Sequence, residues 1–232
     1  KSRKSEWIDS YFRAWFNTWH DWLLKIAMSQ QTEITDLKKK VLATGIRVGT
    51  DMKTKSMRPF ITSASPEGLY MIDIDITLAK IKSAAKFATK FDIKKVIVCS
   101  GKEYATTPIE KFVELTGATQ MLRRFMPGTL TNPSLPYFIE PQLIIISDPE
   151  VDGQAIIEAT NAGIPVIGIS NTNNITSNLD LIIPANNRGR KALATIYWLL
   201  AREILIQKGE LKEDQDMKYE IDDFETKIEE EL

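Results

Sequence analysis

Apolar and polar positions along residues 29–208 switch between two periods. Residues 95–99, 143–147, 164–169 and 179–183 are short runs rich in Val, Ile and Leu. Such runs read as strands covered on both faces, because a strand with one wet face carries a polar residue at every second position. Residues 68–75 read as a further strand. Helical spacing takes over between these runs. Residues 77–90 place Leu78, Ile81, Ala85 and Ala88 on one side, and residues 190–207 do the same with Leu193, Ile196, Tyr197, Leu200 and Ile204. Thr107, Pro108 and Glu110 predict a helix start, with a capping hydroxyl, a ring at the first helical position and a reciprocal carboxylate; Gly117 predicts the stop. A further helix runs to Ala162 and stops at Gly163. Strands of about five residues alternating with helices of about twelve imply an α/β fold, a doubly wound, Rossmann-like parallel sheet of about five strands. No internal repeat stands out.

Two flanks differ from this body. Residues 1–28 form a leader in which Trp7, Ile8, Tyr11, Phe12, Trp15, Phe16, Trp19, Trp22, Leu23 and Ile26 recur at three- and four-residue steps, an amphipathic helix with an aromatic face. A folded leader must bury that face against this domain, a neighbouring protein or a membrane surface. The other reading starts the mature protein at Met28, leaving residues 1–27 as upstream sequence. Residues 209–232 form an acidic tail, poor in aromatics and expected to be disordered.

Charge changes the picture more than composition does. Apolar residues make up 43% of the chain and charged residues 26%, an ordinary globular balance. The net charge of −1 conceals an asymmetry: the tail holds eleven acids against three lysines, so residues 1–208 carry +7. A basic body attached to an acidic tail attracts polyanions in a way that a neutral protein does not.

Catalytic chemistry is missing from the pattern. His20, the one histidine, lies in the leader, so the β/α body cannot build a Ser-His-Asp or Cys-His arrangement. Cys99 is the one cysteine and sits inside a strand, which favours a buried thiol over a nucleophile and leaves no disulfide or CxxC metal site. Neither GxGxxG nor GxxxxGK[ST] occurs, and Ser100-Gly101-Lys102-Glu103 offers one glycine where a phosphate cradle needs several. Asp73 and Asp75 share a strand face, but closing the strand and capping the next helix accounts for them better than a paired-carboxylate site. No catalytic residue, metal ligand or cofactor is expected.

Basic residues gather in loops instead. Arg47, Lys53, Lys55 and Arg58 form one group; Arg123 and Arg124 form a second, followed by Thr129, Thr131 and Asn132; Arg188, Arg190 and Lys191 form a third at the start of the last helix. Lys102 lies just after a strand. Guanidinium and ammonium groups supply charge to phosphates, while hydroxyls, amides and glycine-exposed N–H groups supply shorter hydrogen bonds. The third group adds a helix N-terminus.

Six strings, in order, resemble one family: Gly45-Ile-Arg-Val-Gly-Thr50, Gly68-Leu-Tyr-Met-Ile-Asp73, Arg124-Phe-Met-Pro-Gly-Thr-Leu-Thr-Asn132, Gly163-Ile-Pro-Val-Ile-Gly168, Asn171-Thr-Asn173 and Ile182-Ile-Pro-Ala-Asn-Asn-Arg-Gly-Arg-Lys-Ala-Leu193. They are similar to ribosomal small-subunit protein S2, in the archaeal and eukaryotic branch that includes the laminin-receptor-related proteins, over residues 33–208. The resemblance implies a flavodoxin-like core and a cytoplasmic, structural, non-enzymatic role in the small ribosomal subunit. It implies binding to small-subunit ribosomal RNA and neighbouring ribosomal proteins near the head–body junction. Neither a homo-oligomer nor a membrane partner is expected, the leader's partner staying open. Two departures stand out: bacterial members insert a helical hairpin after the segment matching Gly128–Asn132, for which Pro133 to Leu143 leaves no room, and the leader has no family counterpart. The competing reading is a Rossmann-like enzyme that binds a small molecule or nucleotide; it requires an open pocket at the carboxyl ends of the strands.

Overall fold

The computed structural model describes residues 38–212, 215 and 217–227; the aromatic leader, with His20, lies outside them. Residues 38–43 are helical and belong to a first unit that ends at Ala43, and the unit from Thr44 onward holds the sheets. Its first element is a small antiparallel hairpin of β1 (Ile61–Ala64) and β2 (Tyr70–Ile72). The chain at 47–50 lines the other side of β2: the Gly49 N–H donates to Tyr70 O (2.8 Å), the Tyr70 N–H to Thr50 O (3.0 Å) and the Ile72 N–H to Arg47 O (2.8 Å). The strand expected at 68–75 is therefore shorter and belongs to this outlying layer. Asp73 ends it: its carboxylate accepts from the Asp75 N–H (2.9 Å) and caps α1 (Ile74–Ala88), which starts three residues before the expected Thr77.

Five strands form the main parallel sheet: β3 (Val96–Ser100), β4 (Thr119–Leu122), β5 (Leu143–Ile146), β6 (Val166–Ser170) and β7 (Leu181–Pro184), in the order β4-β3-β5-β6-β7. Within that sheet the order is second, first, third, fourth, fifth, which is flavodoxin-like, with the switch point between β3 and β5. β3, β5 and β6 are buried at every position, as their unbroken apolar runs require. β4 was not foreseen. It is an edge strand of mixed burial, so Thr119-Gln-Met-Leu lacks the apolar signature of its neighbours.

The helices divide between the two faces. α2 (Thr106–Thr116) and α4 (Arg190–Lys208) pack with α1 on one face. There the fully buried Tyr197 of α4 meets Phe112 of α2 edge-on, with ring centroids 5.8 Å apart, and its hydroxyl pairs with Ser147 Oγ (2.6 Å). The bond matters because a buried phenol without a partner is costly. α3 (Gly153–Ala162) covers the opposite face, setting Ala155, Ile156 and Ala159 over Cys99, Ile144, Ile146 and Val166. Gly117 and Gly163 end α2 and α3 in left-handed conformations, as expected. The start of α2 differs. Thr107 is already helical, Ala105 occupies the cap position, and a 3-10 turn at Glu103–Ala105 leads in without a side-chain cap.

The acidic tail has a folded middle. A 3-10 turn at Ile221–Phe224 lies on α4, with Phe224 wholly buried. The Trp198 indole N–H donates to Tyr219 O (2.9 Å), and Thr226 Oγ1 donates to Tyr104 O (2.9 Å). Residues 217–227 are thus held by one buried aromatic and an indole bond despite their acidic composition, while 213, 214, 216 and 228–232 lie outside the described residues. The Phe224→Ala variant should release this strap. We expect hydrogen exchange of amides 219–226 to rise by about tenfold or more while α4 stays protected. A strap that is mobile in the native chain would show no change.

Candidate nucleic-acid interface

Open sheets of this strand order bind ligands outside the carboxyl ends of the strands at the switch point. In this protein the place is taken by its own side chains. Lys102, after β3, pairs its ammonium with the buried Asp148 carboxylate, after β5, and donates to Asn187 O (2.9 Å). Asn174 Nδ2 donates to Asp148 Oδ1 (3.0 Å), and Asn187 Nδ2 donates to Asn174 Oδ1 (3.0 Å). The Gly101 N–H, where a phosphate oxygen would have to accept, already donates to Asp152 Oδ1 (2.8 Å). A side chain at Gly101 would also put a Cβ 2.8 Å from Val151. Burial pushes the Asp152 carboxyl up to about 6: the Gly101 N–H opposes the shift, and the nearby Asp148 charge adds to it. Burial also pushes the Cys99 thiol up, which makes it a poor nucleophile.

Around this sealed centre runs a cationic rim. Arg123 and Arg124 are exposed directly after β4, Arg123 in the left-handed region with φ 69°. Arg188, Arg190 and Lys191 are exposed after β7, at an α4 N-terminus that has no side-chain cap. Lys53, Lys55 and Arg58 are exposed as well, and Lys53 Nζ lies 4.4 Å from the centre of the Tyr70 ring. Their segment is tied to the loop after β6: the Thr50 N–H donates to Thr172 Oγ1 (2.9 Å), the Thr54 N–H to Thr172 O (2.9 Å) and Thr54 Oγ1 to Asn174 O (3.1 Å). Gly49 allows that approach, because a Cβ there would lie 2.5 Å from Thr172 Cγ2. The fold thus collects all three basic groups at one end of the sheet.

Other expected contact residues bond within the protein. Lys102 is spent on Asp148, and Arg47 is half-buried with Nε sealed from solvent. Thr129 is buried and donates its hydroxyl to Met126 O. Thr131 is exposed but sits 3.5 Å from Glu158, and Asn132 Oδ1 accepts from the Ser134 N–H (3.1 Å).

A family model described as ribosomal protein S2 matches residues 41–135 and 138–206. The chain belongs to the ribosomal protein S2 family. It is 74% identical over 204 residues to the small ribosomal subunit protein uS2 of Nitrosopumilus maritimus (strain SCM1), covering 88% of this chain and 99% of that one. The uS2 proteins of Cenarchaeum symbiosum (strain A) and Thermofilum pendens (strain DSM 2475 / Hrk 5) are 55% and 50% identical, over 85% and 81% of this chain and 95% and 87% of theirs. The archaeal resemblance read from the six strings is therefore borne out.

One residue that shapes the interface of this S2-family chain escaped sequence reasoning. Glu158 lies on the buried side of α3 with Ala155 and Ala159. Its carboxylate accepts from the Gly128 N–H (2.8 Å), the Leu130 N–H (3.3 Å) and Gln154 Nε2 (2.8 Å). It thereby occupies the backbone donors that the sequence offered to phosphate, and it fixes the loop beside Arg123 and Arg124. The readable signal was an acid in an otherwise apolar helical stripe. An open groove of about 630 Å³ lies beside it, lined by Pro127, Leu130, Thr131, Gln154, Ile157 and Asn161 among others. Burial alone would raise the Glu158 carboxyl; the Gln154 amide and the loop N–H groups reverse this and hold it below its ordinary value.

Two stability measurements follow. The Glu158→Ala variant leaves two loop N–H groups without their acceptor and should cost about 1–3 kcal/mol near neutral pH. A lowered folded pKa means that the stabilisation is present above the unfolded value and is lost as pH falls through the folded one. Chemical denaturation should therefore find wild type and variant converging in acid. Asp152 has the opposite sign. With its folded pKa raised to about 6, it makes the native state take up a proton as pH falls through that range, which adds stability. Relative to wild type, Asp152→Asn should gain about 2–3 kcal/mol between pH 4 and pH 8. A flat difference would remove the assignment.

Proposed function

We propose that this chain is a structural component of the small ribosomal subunit in the cytoplasm, and that its carboxyl-end rim faces small-subunit ribosomal RNA. The observation that carries this reading is the pairing of a sealed crevice with an exposed cationic border. The Lys102–Asp148–Asn174–Asn187 network spends the groups an enzyme of this fold would turn to a ligand. Arg123, Arg124, Arg188, Arg190, Lys191, Lys53, Lys55 and Arg58 stay exposed around it. The fold is used as a rigid wedge that presents charge, and no step of catalysis is assigned to it. The relatives are named as small-subunit ribosomal proteins, which supports placing this chain among that subunit's RNA and proteins. We place the contact near the head–body junction and assign protein neighbours to the surfaces away from the rim. The rival reading, a small-molecule or nucleotide enzyme, has no feature in the crevice that favours it.

The test is sedimentation of native lysate on sucrose gradients at low and high salt. The protein should travel with the small subunit and strip off as salt rises; a protein that stays at the top at every salt overturns the reading. The Arg123→Ala, Arg124→Ala, Arg188→Ala, Arg190→Ala quadruple variant should incorporate poorly. For purified protein on small-subunit ribosomal RNA, its log–log salt slope should fall by up to about 3.6, at roughly 0.7–0.9 for each phosphate that is no longer neutralised. Unchanged incorporation would exclude these side chains as the RNA-binding surface.

A further inference from the structure

Beside the cationic rim lies a face of a different character. Between residues 151 and 165 only Asp152 and Glu158 are charged, and both are buried. The exposed side of α3 therefore carries no formal charge, in a chain with 26% charged residues. Gln154, Ile157 and Asn161 follow one another along that side at helical spacing, over about 10 Å of helix axis. They form one wall of the groove of about 630 Å³, and the loop at 127–131 forms the other. That volume lies in the range that accepts a small organic group.

The lining says which group. Ile157 is 53% exposed and Pro127 is exposed as well, so each wall offers an apolar surface to a flat ring. The Asn161 amide has no hydrogen-bond partner among the described residues. Gln154 spends its Nε2 on Glu158 (2.8 Å) and keeps its carbonyl oxygen free. A primary amide with donor and acceptor both unspent matches the N6 amino group and N7 of adenine. Glu158 also lines the groove and stays ionised at neutral pH, which turns a phosphate away and tolerates an amino edge. Phosphates have their cations close by. A Cβ at Gly101 would lie 2.8 Å from Val151, 3.1 Å from Asp152 Oδ1 and 3.8 Å from Arg123 O. Arg123 thus stands where α3 begins, at the Gln154 end of the groove, with Arg124 next in the chain.

We propose that the groove between α3 and the 127–131 loop is a nucleobase pocket, which takes an adenine turned out of an RNA strand whose phosphates lie on Arg123 and Arg124. Asn161 reads the edge of the base, and Ile157 and Pro127 hold its two faces. Bulges and loops are the RNA elements that present a base in this way, because a paired base in an A-form helix keeps its edges out of reach. Phosphate contacts position a protein without reading sequence, so the pocket adds a base-reading element to a rim that is otherwise electrostatic. The inference rests on the RNA-facing reading of the rim.

The experiment uses the full chain and labelled 20-base-pair RNA duplexes with one central bulge: an adenosine, a uridine or an abasic site. The readout is the ratio of affinities at about 100 mM salt, in which the electrostatic contribution common to all three probes cancels. Wild type should bind the adenosine bulge about tenfold more tightly than the abasic bulge, and the uridine bulge by less than about threefold. Asn161→Ala and Ile157→Glu, both at exposed positions, should each bring the adenosine ratio to within about twofold of one. The Arg123→Ala, Arg124→Ala variant should weaken all three probes together. Equal binding of adenosine and abasic bulges by wild type overturns the pocket alone, as does an adenosine preference that survives both groove variants. Failure of wild type to bind any of the duplexes overturns the RNA-facing reading and the pocket with it.

Discussion

The ion pair between half-buried Lys102 and buried Asp148 is the interaction on which the functional end of the molecule depends. It joins the chain just after β3 to the chain just after β5, the two strands whose connections diverge at the switch point. Asn174 and Asn187 extend it to the loops after β6 and β7, so one network sets four loops in register. Such a pair gains little over a well-packed apolar pair, but the buried Asp148 carboxylate without its ammonium would be heavily penalised. The network is thus a poor source of net stability and a strict arbiter of geometry. Arg188, Arg190 and Lys191 follow a loop that it holds, and the arm with Lys53, Lys55 and Arg58 docks on another; Arg123 and Arg124, after β4, stand beside the loop that Glu158 fixes.

Much of the fold could be read from the chain, and what escaped has a physical reason. Val96–Ser100, Leu143–Ile146 and Val166–Ser170 lie at the centre of the sheet and carry the unbroken apolar runs such strands need. Thr119–Leu122 lies at the edge with no residue fully buried, so its composition does not separate it from a loop. A strand is legible within residues 68–75, where β2 spans Tyr70–Ile72, but its partner is not, because alternation says that a strand exists and nothing about what it pairs with. At the site, the exposed arginines were legible as charge in glycine-containing loops. Thr129, Thr131 and Asn132 looked equally suitable, yet their polar groups serve the loop that carries them. Residue type reveals a capacity for hydrogen bonding; only tertiary contacts reveal who receives it.

Composition misled most at the C-terminus. Eleven acids in the last 24 residues point toward a solvated tail, and the average is silent about Phe224 and Tyr219. A single aromatic that fills a site on α4, aided by the Trp198 indole, orders the residues around it. The net charge of −1 is then the sum of a basic body and an acidic segment, and Glu225 of that segment meets Lys191 of α4 at 4.0 Å.

The bond between Thr50 and Thr172 joins residues 122 positions apart. During synthesis the chain emerges from its N-terminus, so the arm bearing Lys53, Lys55 and Arg58 is made early and has nothing to dock on until β6 and the loop after it exist. Closing so long a span is slow relative to local helix formation. The arm therefore takes its place late in the maturation of the nascent chain, only after Thr172 has been added and folded into position.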